Sequence, residues 1–335
     1  MRRILALGVM VAAATAVALA ADDKKADKRH AIGRPRDADR KTGPLRFDFR
    51  PAAAKAAAAG APATSSAPAT RPKRDTAGAD KLGWRLAIHA YSFRGSSFFE
   101  AVDQAAALCV RDIEAYPNQK ISRDIAGGFG HDMKPEARSA VRAKLQAAGV
   151  RLAGYGVVGL ANNDATCRRV FDFAREMGIE TLVAEPTPGS LELVDKLAEE
   201  YGVRVAIHNQ PKPGRYWDPG AVLAACDGRS RWLGACADTG HWFRSGVAPV
   251  AGLRRLRGRI VSVHLKDLSD AGGHDVPWGA GAADVAAQLA ELAASGYTGL
   301  VSIEYQHHTV NTPAEVARCV DFFDKTATAL AAAKK

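Results

Sequence analysis

The feature that most constrains the fold of this chain is an eightfold alternation of two kinds of segment. From Trp84 onward, short runs of β-branched and apolar residues alternate with longer, amphipathic, alanine-rich segments. This alternation is typical of repeated βα units that build a parallel sheet. The predicted strands cover 84–93, 111–117, 150–158, 180–186, 203–211, 233–242, 259–267 and 299–306, and the segments 190–202 and 313–333 are among the predicted helices.

Eight βα units in one domain predict an α/β fold of the (β/α)8 or TIM barrel type, since such barrels need about 250 residues. An open, doubly wound sheet is the main competitor. It normally carries a glycine-rich fingerprint after its first strand, and the segment AYSFRGSSFF at 90–99 is not one. We therefore predict a barrel over residues 83–330.

The first 82 residues have a different composition. Residues 1–20 start with two arginines, continue as an apolar run of 17 residues and end in small residues, which predicts a secretory signal peptide. A membrane anchor is the alternative, but the run is near the lower length limit for a bilayer span. Residues 21–82 are rich in Ala, Pro, Lys and Arg and predict a disordered linker. The expected location is exported, either periplasmic or secreted, with no stable membrane span after cleavage.

Charge is concentrated in the same segment. Residues 1–82 carry a net charge of +9 of the total +10, so the predicted barrel is close to neutral. A nucleic-acid enzyme would be expected to have a basic folded domain, so nucleic acid is not an expected partner. The sequence makes no prediction of the oligomeric state.

The last five predicted strands each end in an acidic or imidazole side chain. These residues are Glu185, His208, Asp238, His264 and Glu304. Because the carboxyl ends of barrel strands meet at one face, we expect the five to converge there. Any one of them could instead be a helix cap or a polar loop residue, and this alternative is strongest for Glu185 and Asp238.

The order of short motifs at these positions resembles a known family. VAEP, AIHNQP, ADTGHW, VHLKD, VPWGAGAADV and SIEYQ follow one another between residues 183 and 306. In this order they resemble the sugar phosphate isomerase/epimerase family of the xylose isomerase-like TIM barrel superfamily. The resemblance covers the whole predicted barrel, roughly three quarters of the chain.

The resemblance implies one divalent metal ion at the strand ends. Matching positions are Asp238, His264 and Glu304, and strand five offers His208 where the family pattern has a carboxylate. Two imidazoles and two carboxylates suit Mn, Co, Zn or Ni more than Mg.

The resemblance also implies the chemistry. In the epimerases of this superfamily, two glutamates exchange a proton at a carbon beside a carbonyl while the metal stabilises the developing charge. Glu304 could be one of this pair, and Glu185 is the candidate for the other, either as general acid or base or as a metal ligand. Lys266 in HLKD could donate to a developing oxyanion.

Further residues are expected to bind the substrate. His241 matches a family histidine that contacts substrate oxygens, although it could be a plain loop histidine. The other predicted substrate-binding residues are His89, Tyr91, Glu114, Tyr155 and Asn209, with core or rim positions as the alternative.

Together these features predict an exported, metal-dependent isomerase or epimerase that acts on a sugar or keto-sugar. The alternatives are a lyase or hydratase that acts on 3-keto-glycosides with the same site, and a non-catalytic sugar-binding barrel. An activity like that of the apurinic endonucleases of the same superfamily is disfavoured, because it needs more metal ligands and a phosphate-binding charge.

Overall fold

The computed structural model describes residues 74–333 and contains a closed barrel of eight parallel strands. The barrel strands are β1 Trp84–His89, β2 Asp112–Ala115, β3 Arg151–Val158, β4 Thr181–Ala184, β5 Arg204–His208, β6 Leu233–Asp238, β7 Ile260–Leu265 and β10 Gly299–Ile303. Two further strands, β8 Asp267–Leu268 and β9 Asp275–Val276, lie outside the barrel. Around the barrel the order is β1-β10-β7-β6-β5-β4-β3-β2, and β8 and β9 form a separate antiparallel hairpin. The predicted (β/α)8 barrel is confirmed.

Helices pack around the barrel. They are α1 Ala77–Leu82, α2 Phe98–Ala107, α3 Pro135–Ala148, α4 Asp164–Met177, α5 Leu191–Tyr201, α6 Pro219–Cys226, α7 Thr239–Arg244, α8 Pro249–Arg255, α9 Val285–Ala294 and α10 Thr312–Ala333. Their ends follow local chemistry. Helix α2 starts at a capping box in which Ser97 and Glu100 satisfy each other's backbone N–H groups. Helix α5 ends at Gly202, whose φ of 65° is readily adopted only without a side chain.

Closure of the barrel depends on β1, which pairs with β2 on one side and β10 on the other. The register with β10 runs from Trp84 opposite Gly299 to Ile88 opposite Ile303. The Trp84 indole is buried, and its Nε1–H donates to the carbonyl of Tyr297 at 2.9 Å. The first and last strands of the barrel are thereby locked in one register.

The folded region begins before residue 83, inside the stretch that the composition assigns to the linker. Helix α1 packs on α10, and its residues Ala79 and Leu82 are buried. The Lys81 ammonium donates to the carbonyl of Ala331 at 2.7 Å. The composition of this stretch did not predict helix α1, because the helix is short and its apolar residues are buried by contact with α10, which lies far away in the sequence. The predicted signal peptide and residues 21–73 of the predicted linker lie outside the described residues. Within 74–333, no helix combines the length and apolarity needed to cross a membrane.

A buried carboxylate organises the loop that follows the hairpin. Asp267 accepts hydrogen bonds from the backbone N–H groups of Leu268, Gly279, Gly281 and Ala283 at 2.8–3.1 Å. The WGAGAAD segment is therefore folded around Asp267, which directly follows Lys266 at the end of β7.

Asp267→Ala should lower the free energy of unfolding by about 3 kcal/mol or more, because several partly buried N–H groups would lose a charged acceptor. Urea denaturation of the variant measures the loss. Asp270→Ala is the control, because this exposed acid of the same hairpin accepts a single exposed hydrogen bond, from the N–H of Gly272, and its loss should cost about 1 kcal/mol at most. Equal losses in the two variants would contradict this role for Asp267.

Candidate active site

A cavity of about 360 Å³ lies at the carboxyl ends of the barrel strands. Its lining combines aromatic, imidazole and polar side chains from all around the barrel. The lining residues are His89, Tyr91, Tyr116, Pro117, Gly156, Val157, His208, Gln210, His241, His264, Glu304 and Gln306. The cavity thus lies where the sequence places the candidate chemistry.

The four predicted metal ligands converge at this cavity, and all of them except Asp238 line it. His208 ends β5, Asp238 ends β6, His264 lies in β7 and Glu304 directly follows β10. All four are buried, and one ligand atom from each lies within 4.8 Å of those of the other three. Residues separated by almost 100 positions in the sequence therefore share one centre.

Asp238 has a different partner for each carboxylate oxygen. Oδ1 accepts the backbone N–H of His241 at 2.9 Å and so caps helix α7. Oδ2 contacts the Lys266 ammonium and lies 3.5 Å from Nε2 of His208. The helix-cap and site interpretations of Asp238 are therefore compatible.

Asn209 holds the end of β6 in place. Its amide nitrogen donates to the carbonyl of Asp238, and its oxygen accepts the N–H of Asp238, both at 2.8 Å. The side chain is fully buried. Asn209 thus contacts the Asp238 backbone, and its predicted contact with substrate stays a prediction.

His264 faces a carboxylate at each ring nitrogen. Nε2 lies 2.9 Å from Oε1 of Glu114 in a hydrogen bond. Nδ1 lies 3.0 Å from Oε2 of Glu304, but it is buried and forms no hydrogen bond. His264 is therefore held on one side and has an unsatisfied nitrogen on the side of the four-residue cluster.

Lys266 is a buried cation inside the same cluster. Its ammonium contacts Asp238 and lies 2.7 Å from Oε2 of Glu304. Gly240 makes room for its stem, because a Cβ at Gly240 would lie 2.6 Å from the Lys266 Cβ. Lys266 thus neutralises two of the candidate ligands, and its donation to an oxyanion stays a prediction.

Each candidate catalytic glutamate is bonded to a glutamine of the cavity wall. Gln210 donates to Glu185 and Gln306 donates to Glu304, both at 2.9 Å. Glu185 also lies 3.5 Å from Nδ1 of His208. Glu185 is therefore linked to the cavity through two lining side chains, whereas Glu304 lines it directly.

Burial and charge act against each other on the pKa values of the cluster. Burial favours the neutral carboxyl, but the nearby Lys266 and His264 hold the pKa of Glu304 well below its usual range. Burial lowers the pKa of His208, yet the carboxylates of Asp238 and Glu185, each 3.5 Å from one of its ring nitrogens, prevail and raise the pKa to about 9. Metal binding at His208 would have to displace a proton at neutral pH.

The pKa of His241 moves in the opposite direction. Burial lowers it to about 4, and Lys266 adds to this effect against the attraction of Asp238. His241 is therefore neutral at pH 7 and lines the cavity, where a neutral imidazole can both donate and accept hydrogen bonds.

The aromatic candidates divide between two sides of the barrel wall. Tyr91 lines the cavity together with Tyr116, at 5.1 Å between ring centroids. Tyr155 instead packs against Phe173 of α4, and its hydroxyl bonds to His131 at 3.1 Å. Tyr155 is not among the residues that line the cavity, and a substrate contact there stays a prediction.

The sequence did not predict six of the lining residues, and three of these have side chains that can hydrogen-bond to a ligand, namely Tyr116, Gln210 and Gln306. Each lies two positions after a residue that the sequence had singled out. Extended backbone returns to the same side every second residue, so this spacing could have identified all three.

The donor set fits a divalent transition metal. Two imidazoles and two carboxylates form a common ligand combination for such ions, and the unsatisfied Nδ1 of His264 provides a nitrogen for it. A larger cavity, of about 780 Å³, lies at the opposite end of the barrel among paired arginines such as Arg85 and Arg151. It is remote from this cluster.

The chain belongs to the xylose isomerase-like TIM barrel family, whose sequence profile matches residues 102–326. The predicted family resemblance is confirmed. A comparison with curated proteins found no match.

Solved structures share the fold. An uncharacterised protein from Parabacteroides distasonis is 30% identical, covers 72% of this chain and 99% of its own, and has a TM-score of 0.60. D-psicose 3-epimerase in the presence of D-fructose is 14% identical, with coverages of 73% and 99% and a TM-score of 0.57. A probable 3-DHS dehydratase from Bacillus anthracis is also 14% identical, with coverages of 71% and 98% and a TM-score of 0.55.

The purified protein should bind about one divalent ion, as a single four-ligand centre would. Asp238→Asn, which can still cap α7, and His264→Gln should both lose the ion, because each removes a ligand. Elemental analysis after loading with Mn²⁺ or Co²⁺ measures this. The control is Glu180→Gln, just before β4 at the other end of the barrel, where Glu180 pairs with Arg85. Full metal occupancy in both site variants would contradict the assignment.

Proposed function

We propose that this protein is an exported, divalent-metal-dependent isomerase or epimerase that acts beside the carbonyl of a sugar or keto-sugar. The observation that carries the proposal is the convergence of His208, Asp238, His264 and Glu304 at a cavity that three of them line. Glu185 is hydrogen-bonded to Gln210 in the cavity wall. Membership of a family that includes sugar isomerases and epimerases supports a sugar as the substrate.

Proton transfer is assigned to the two glutamates. Burial raises the pKa of Glu185, but the nearby His208 ring and the hydrogen bond from Gln210 lower it more, and the pKa of Glu304 is lowered as well. Both side chains are therefore carboxylates at neutral pH and can accept a proton. One removes the proton from the carbon beside the carbonyl, and the electron pair of the C–H bond moves toward the carbonyl oxygen.

The fate of that proton decides the product. Its return from the same glutamate to the neighbouring carbon, while the hydroxyl proton passes to the former carbonyl oxygen, gives isomerisation. Inversion requires the other glutamate, after taking a proton from solvent, to donate that proton to the opposite face of the original carbon, while the first glutamate keeps the proton it removed. A metal held by His208, Asp238, His264 and Glu304 would supply positive charge that favours this charge movement. Lys266 keeps two of those ligands together, and Tyr91 and Tyr116 offer ring faces to the apolar side of a sugar.

Export is part of the proposal because of residues 1–20, whose composition is that of a signal peptide. An exported enzyme would meet free sugars or oxidised glycosides rather than sugar phosphates, which are intracellular. The nearly neutral barrel agrees with an uncharged substrate.

The reaction should appear as exchange of a carbon-bound proton with solvent. Metal-loaded protein is incubated in D₂O with a panel of ketoses, aldoses and 3-keto-glycosides, and NMR follows deuterium incorporation and new products. Glu185→Gln and Glu304→Gln should slow exchange by about 10²- to 10⁴-fold, because each removes a proton-transfer group. The control Glu180→Gln should exchange at the wild-type rate.

Other outcomes would change the assignment. Sugar binding without exchange would indicate a binding protein, and an unsaturated product would indicate a lyase. Cleavage of abasic DNA at physiological salt would contradict the sugar assignment altogether.

A further inference from the structure

We infer that Glu114 is a positioning residue that holds His264 with Nε2–H toward its carboxylate and Nδ1 toward the metal centre. The inference rests on the metal dependence of the proposed function. It concerns a residue on β2, across the barrel from His264 on β7, because the neighbours of β7 are β6 and β10.

The structure surrounds Glu114 with specific partners. Oε1 lies 2.9 Å from Nε2 of His264, and Oε2 accepts the Ser302 hydroxyl at 3.0 Å. Ser302 on β10 is the register partner of His264 on β7. The neighbouring strands β7 and β10 therefore each provide one hydrogen-bonding side chain, His264 and Ser302, to the carboxylate of Glu114 on the other side of the barrel.

The space for Glu114 also depends on the absence of a side chain. A Cβ on Gly154 would lie 2.8 Å from Cγ of Glu114 and 3.0 Å from its Cδ. Glu114 is fully buried and is not among the side chains that line the cavity. Its carboxylate is thus enclosed behind His264.

The chemistry of the pair fixes which nitrogen remains for a metal. An ionised carboxylate only accepts hydrogen bonds, so the nitrogen facing it carries the proton. Oε2 of Glu114 already accepts the Ser302 hydroxyl at 3.0 Å, which leaves Oε1 to accept from Nε2 of His264 at 2.9 Å. Nδ1 lies on the other side of the ring, 3.0 Å from Oε2 of Glu304 in the cluster. A metal bound there would take the lone pair of Nδ1, and the carboxylate behind the ring increases the basicity of that nitrogen.

A second cation between Glu114, His264 and His89 is the competing interpretation, since their ligand atoms also lie within 4.8 Å of one another. However, both Glu114 oxygens already accept hydrogen bonds, and the His89 Nε2 is 3.9 Å from Oε1. A cation there would have to displace the proton that joins His264 to Glu114. The contacts therefore favour one ion and a positioning carboxylate.

The test is Co²⁺ binding by the metal-stripped full chain carrying Glu114→Gln, followed by its visible absorption spectrum. The amide keeps the shape but loses the charge, so Co²⁺ affinity should fall by about 10- to 100-fold, with one ion per chain at saturation. Asp112→Asn is the matched control, because Asp112 is a buried carboxylate of the same strand that pairs with Arg151. It should leave Co²⁺ affinity and spectrum unchanged.

A second readout follows the hydrogen bond itself. In protein with ¹⁵N-labelled histidine, the Nε2–H proton of His264, assigned by its loss in His264→Gln, should resonate far downfield. It should move upfield in Glu114→Gln while circular dichroism and the melting temperature of the metal-free protein stay close to wild type.

The outcomes separate this inference from the proposed function. Failure of the wild-type protein to bind Co²⁺ would defeat the metal dependence proposed above. Unchanged Co²⁺ affinity and an unchanged Nε2–H resonance in Glu114→Gln would overturn the inference alone. Two ions per wild-type chain, with one lost in Glu114→Gln, would also overturn it and make Glu114 a metal ligand.

Discussion

The structure depends on closure of its parallel sheet through the pairing of β1 with β10. A closed barrel directs the carboxyl ends of all eight strands to one face, so side chains that are distant in the sequence become neighbours. Without this closure, Glu114 on β2 could not reach His264 on β7, and the cluster would lose one side. The register from Trp84 to Ile88 against β10 is therefore a condition for the site as well as for the fold.

Within that frame, the centre of the site is a set of opposing buried charges. An unpaired charge in such a place would be strongly destabilising, but Lys266 lies against Asp238 and Glu304, and His264 lies against Glu114. The carboxylates remain ionised and the imidazoles are oriented by them. This arrangement gives the protein negatively charged oxygens in an environment shielded from bulk water, as proton abstraction from carbon requires.

Much of this arrangement could be predicted from sequence because strand ends have a simple pattern. An apolar run that ends at His208, Asp238 or His264 predicts a β-strand, and the polar residue at its carboxyl end predicts a position in the candidate site. Cross-barrel partners have no such local pattern, so the bond between Glu114 and His264 could not be predicted. Tyr155 shows a further limit, because its ring packs against Phe173 of α4, a contact that the local sequence of β3 does not show. The short helix α1 was missed because its burial depends on α10, more than 200 residues later.

The attachment of the loop at 279–283 to Asp267 has a consequence for how such barrels can diversify. Loops at the carboxyl face normally vary in length and sequence while the strands stay constant. Here the loop's backbone amides are bound to a carboxylate three positions after His264. If this loop is exchanged between relatives, in evolution or in the engineering of a new substrate preference, Asp267 has to be exchanged together with it, because the loop conformation depends on this carboxylate.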